Sequence, residues 1–109
     1  MKILRLTRHE ASQAQLAELR RIYGDDITVL NISETVPNSL RVRELVEEHG
    51  ADVIEAVLPL PFLAEVLRDV RIPVIRAVMR RELKDGGEVE FHFDHYERVL
   101  KIEVVTERL

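Results

Sequence analysis

Gly50-Ala51-Asp52-Val53-Ile54-Glu55-Ala56-Val57-Leu58 decides the fold once it is set beside Gly24-Asp25-Asp26-Ile27. In both stretches a glycine closes a helical segment, and the chain enters an apolar strand two or three residues later. With Lys2 to Thr7 as a first strand, Ile27 to Ile32 as a second and Val53 to Leu58 as a third, strands begin about 25 residues apart. Parallel neighbours must be joined by a crossover segment, so this rhythm of strand, helix, glycine and strand calls for an α/β sheet.

The intervening segments have the period of helices. Helix 1 is expected from about Ala11 to Tyr23, where Ser12-Gln13-Ala14-Gln15 has capping-box spacing and Leu16, Leu19 and Tyr23 make an inward stripe. After a turn from Asn31 to Asn38, helix 2 runs from Ser39 to His49, with Val42, Leu45, Val46 and His49 on one face. Leu58-Pro59-Leu60-Pro61 ends strand 3 and starts helix 3, since a proline fits the first helical turn. The third strand is nearly all apolar, as a strand covered on both faces should be, and Glu55 alone interrupts it.

After Pro73 the rhythm changes. Strand 4 starts at Val74-Ile75 and then alternates, Asp85-Gly86-Gly87 makes a hairpin turn, and strand 5 alternates from Glu88 to Asp94. A three-residue loop pairs Leu83 with Val89, Arg81 with Phe91, Met79 with Phe93, Arg80 with His92 and Val78 with Asp94, because a one-residue slip would oppose apolar and polar faces. A second turn at His95 to Arg98, with Tyr96 as a lid over the core edge, leads into a sixth strand from Val99 to Val105. The whole is a single α/β domain over 1–109: a parallel βαβαβαβ core resembling Rossmann-like and flavodoxin-like three-layer domains, extended by two C-terminal antiparallel strands in the order 2-1-3-4-5-6.

Composition narrows the function. The chain has 109 residues, 46% of them apolar, and a net charge of −4, with no basic block for a nucleic-acid backbone. Cysteine is absent, which removes thiol catalysis, disulfides and thiolate metal sites. No apolar run could span a bilayer and the amino terminus is not that of a secretory leader, so a cytoplasmic location is expected. Two Asn and two Gln beside 33% charged residues point to a thermophilic source. Neither the glycine-rich dinucleotide turn nor the phosphate-cradling Gly-Lys-Ser/Thr loop is present, and nothing in the sequence calls for a cofactor.

Function is therefore sought by location. In open parallel sheets ligands bind outside the carboxyl ends of the strands, where the winding reverses. Thr7, Arg8, His9, Ser33 and Thr35 fall at that edge and offer hydroxyls, a guanidinium and the amides that open helix 1, a set suited to a small anion or nucleotide. A second surface is the polar face of the terminal hairpin, where Arg76, Arg80, His92 and Asp94 are expected to meet a protein partner. An imidazole beside a carboxylate also suits acid–base work, so hydrolase or phosphoester chemistry at His9 or at His92 with Asp94 is the competing reading. The facing arginines argue against a metal there. A homodimer is expected through the free edge of the sixth strand or through surplus apolar surface on helix 3.

Overall fold

The computed structural model describes residues 1–109. The element order is β1 (Lys2–Leu6), α1 (Gln13–Tyr23), β2 (Thr28–Asn31), α2 (Ser39–His49), β3 (Val53–Ala56), α3 (Leu60–Asp69), β4 (Val74–Leu83) and β5 (Val89–Arg98). One sheet carries them in the order β2-β1-β3-β4-β5, the first four strands parallel and β5 antiparallel to β4. The α/β class and the parallel core extended by antiparallel pairing are those the sequence calls for.

Right-handed crossovers sort the helices. The step from β1 to β2 moves one way along the sheet and the later steps move the other, which puts α1 on one face and α2 with α3 on the opposite face. Each face has its own core. Leu19 of α1 seals Ile3, Val53 and Ile75, with Tyr23, Ile27, Val29 and Tyr96 around them. On the other side Val42 and Leu45 of α2 and Leu63 and Val66 of α3 cover Leu4, Leu6, Ile54, Ala56 and Val74.

Local chemistry sets the ends. Ser12 accepts from the Gln15 amide while the Gln15 side chain accepts from the Ser12 amide, completing the capping box. Asn38 caps α2 by accepting from Arg41 N–H, and Gly50 ends it at φ 61°, the left-handed region that glycine tolerates. Ser39 Oγ donates to Asp69 at 2.5 Å and fastens the start of α2 to the end of α3.

The hairpin register holds from Leu83–Val89 to Met79–Phe93, with Arg80 opposite His92 as expected. Beyond that point the pairing shifts: Val78 faces His95 rather than Asp94, which stands out as a β-bulge residue. The bulge lets β5 continue through the expected turn to Arg98 and brings Tyr96 opposite Ala77.

The sixth strand does not form; residues 99–109 are without helix or strand. The stretch His95 to Arg98 has no glycine, asparagine or proline to favour a tight hairpin turn, and it continues β5. Tyr96 is instead drawn into the core beneath α1. The tail then turns under the opposite face, where Val99 N–H donates to Val74 O and Val99 and Ile102 pack on the larger core. β5 is thus the terminal strand of the sheet.

Candidate functional site

The reversal of winding falls between β1 and β3, which lie side by side while α1 and α2 depart to opposite faces. The carboxyl ends of these strands, Leu6-Thr7-Arg8 and Ala56-Val57-Leu58, form a saddle with a cavity on each slope. Thr7 and Leu58 line both cavities.

The cavity on the α2–α3 slope has a volume of about 270 Å³. Thr7, Arg8, Ser33 and Thr35 line it together, and Leu6, Ile32, Val36, Leu58 and Phe62 supply an apolar wall. Four of the five edge residues singled out from sequence therefore share one hollow. Arg8 is exposed and has no ion-pair partner, whereas the one carboxylate on the rim, Glu34, is held by Arg41 at 2.9 Å. Arg41 also meets Glu44 and Glu48, at 3.2 and 3.1 Å, so it pins the 33–38 loop to α2. Hydrogen bonding to Arg41 holds the Glu34 carboxyl below its ordinary value. Arg8 is the one cation among the residues that line this cavity.

α3 opens beside this cavity, with Pro59 and Phe62 in its lining. In α1 the Gln15 amide donates to Ser12 Oγ and the Leu16 amide to Ser12 O. The residue before α3 is Pro59, which supplies no side-chain cap, and the first bonded amide is Leu63 to Pro59 O. The N–H groups of Leu60 and Phe62 are left at the crest of the saddle, at the positive end of the helix dipole.

The cavity on the α1 slope, about 370 Å³, receives His9, Glu10 and Gln15 at its rim and Arg5 with Glu55 in its floor. Arg5 and Glu55 are 3% and 1% exposed, and this buried pair was not foreseen as a site. They are register partners on β1 and β3, with Asn31 of β2 on the other side of Arg5. Arg5 Nε and Nη2 donate to the two Glu55 oxygens at 3.0 and 3.2 Å, and Nη1 donates to Asn31 Oδ1 at 3.0 Å and to His9 O at 2.8 Å. Tyr96 Oη donates to Glu55 Oε1 at 2.8 Å, and burial followed by the Glu55 charge drives its phenol far above the ordinary value. No buried side-chain nitrogen or oxygen here is without a hydrogen-bond partner. A signal existed in the sequence: two adjacent buried strands each carry one charge, of opposite sign, inside an apolar run.

His9 is exposed, and its place is fixed through its backbone, its amide donating to Thr7 Oγ1 at 3.2 Å and its carbonyl accepting from Arg5. It opens onto the α1 slope, apart from Arg8, Ser33 and Thr35.

The hairpin group is dispersed into local pairs. Arg76 meets Glu97 at 3.1 Å, His92 Nε2 lies 3.1 Å from both Glu82 and Glu90, and Asp94 pairs with His95 at 2.9 Å. The bulge separates His92 from Asp94, so the expected imidazole–carboxylate dyad is replaced by His95 with Asp94. That contact, with Glu97 also near, raises His95 above its ordinary value. Arg80 stands opposite His92 in register and makes no ion pair. Glu82, Glu90 and His92 converge closely enough to resemble a ligand set, but exposed acidic clusters of this kind are common without a metal.

Together the fold and the saddle define an open, doubly wound α/β domain with a crevice at its topological switch point. Comparison with protein-family models, with curated proteins and with solved structures returned no match. No helix is long and apolar enough to cross a membrane.

Proposed function

We propose that the protein is a binding module for a small organic anion, a phosphate or carboxylate attached to an apolar body, held on the α2–α3 slope of the saddle. One observation carries this reading: Thr7, Arg8, Ser33 and Thr35, from two separate strand ends, line a single cavity backed by apolar side chains. The unpaired Arg8 guanidinium takes the anionic head, with the hydroxyls and the free α3 amides as further donors. Leu6, Ile32, Val36 and Phe62 take the apolar part. The volume of about 270 Å³ limits the occupant to a small molecule or the terminal group of a larger one.

Thermal denaturation in the presence of inorganic phosphate, phenyl phosphate and adenosine monophosphate tests the proposal. The reading expects a rise in melting temperature that grows with ligand concentration, is larger for the phosphates bearing a ring, and disappears in Arg8→Ala. Equal shifts in wild type and Arg8→Ala would overturn it.

A further inference from the structure

β5 leaves one edge of its main chain free over Val89–Arg98. Lys84 N–H donates to Glu88 O, and antiparallel bonding alternates, so Glu88, Glu90 and His92 turn their backbone groups toward β4. Val89, Phe91 and Phe93 turn theirs outward to solvent. The same residues form the apolar face of the hairpin, whose outer part is open: Phe91 is 65% exposed, and Met79 and Leu83 on β4 stand open beside it.

We propose that this edge pairs with the same edge of a second copy of the chain, antiparallel about a two-fold axis at Phe91, joining two sheets into one. Outward amides must meet outward amides, and the charges then choose the register. Centred on Phe91, the pairing sets Phe91 against Phe91, Val89 against Phe93, and Glu90 against the second copy's His92, the last twice by symmetry. Because the bulge at Asp94 limits pairing to 89–93, centring on His92 would keep only 91–93 in the ladder and set His92 against itself. Centring on Glu90 would oppose two glutamates. The bulge at Asp94 ends the ladder, so the paired segment is 89–93.

The chain has no cysteine, so single substitutions report the register directly. Opposed Cα atoms of an antiparallel pair lie about 5.5 Å apart, within disulfide range, whereas residues displaced by four positions lie about 13 Å apart. Under mild oxidation Phe91→Cys is expected to form a linked dimer at least tenfold faster than Val89→Cys or Phe93→Cys, while a mixture of the latter two yields the mixed dimer. Sedimentation equilibrium should show a wild-type dimer at tens of micromolar, a monomer for His92→Glu, and a restored dimer for Glu90→Lys/His92→Glu. A monomeric wild type, or equal linking rates at positions 89, 91 and 93, would overturn the proposal. So would fastest linking at Leu83→Cys, the mark of hairpins stacked face to face.

Discussion

Tyr96 of β5 donates its phenolic hydrogen to Glu55 of β3 across 2.8 Å, although Ala77 of β4 is its register partner and the two strands are not neighbours. The bond reaches over β4 because the bulge at Asp94 turns the aromatic ring inward, where Phe93 lies with its ring centre 4.9 Å away. It also completes the shell around the Arg5–Glu55 pair, closing the floor of the crevice on the α1 side.

A buried ion pair is fragile to loss of one partner. Glu55→Ala strands the Arg5 guanidinium at 3% exposure and is expected to cost about 3–5 kcal/mol. Tyr96→Phe removes one bond to a charged acceptor, about 1.5–3 kcal/mol. The double change Arg5→Met/Glu55→Leu is expected to cost less than Glu55→Ala alone. Urea denaturation ranks the three, and a Glu55→Ala protein as stable as wild type would contradict the burial of an otherwise unpaired charge.

The phenol of Tyr96 also fixes a pH dependence. Its folded value lies above its unfolded one, so between them the native state holds the extra proton. The contribution is therefore complete below the unfolded value of about 10 and declines as pH rises beyond it. Urea midpoints at pH 8 and 10.5 should fall further in wild type than in Tyr96→Phe. Parallel declines would show that the phenol does not titrate with folding.

His95 titrates higher than an isolated imidazole because Asp94 accepts from its ring. The stabilisation is complete below about pH 6.5 and is lost as pH rises through the folded value. Proton NMR should place its midpoint above that of a model peptide, and Asp94→Asn should lower it. No change in Asp94→Asn would detach the shift from that contact.

Gly50 sits at φ 61° with open space where a Cβ would stand, so a substitution there meets backbone strain alone. Gly50→Ala is expected to lower stability by about 1 kcal/mol and Gly50→Asn by less, since asparagine visits that region more readily. Equal losses in thermal denaturation would point instead to a contact of the side chain.

The parallel core was legible because its signals are local and agree: the glycines before β2 and β3, the Ser12–Gln15 box, Pro59 and Pro61 at α3, and the Asp85-Gly86-Gly87 turn. Hairpin register was legible as far as Phe93, where alternation of apolar and polar faces determines it. A bulge breaks that alternation without a marker residue, so the path of Tyr96 and the fate of 99–109 were not readable. The Arg5–Glu55 pair was missed for a different cause. Each charge looked like a blemish in its own strand, and only the register of β1 on β3 sets them side by side. For the anion cavity, the strand ends were readable from the crossover pattern, but the parting of His9 from Arg8, Ser33 and Thr35 onto separate slopes depended on chain geometry.

The most direct test of the anion-binding account is a titration of isotopically labelled protein with phenyl phosphate, followed by amide proton–nitrogen correlation spectra. The account expects saturable shifts confined to Thr7, Arg8, Ser33, Thr35, Leu60 and Phe62, all absent in Arg8→Ala. Shifts scattered over exposed arginines such as Arg20, Arg43 and Arg80, or none at millimolar ligand, would contradict it.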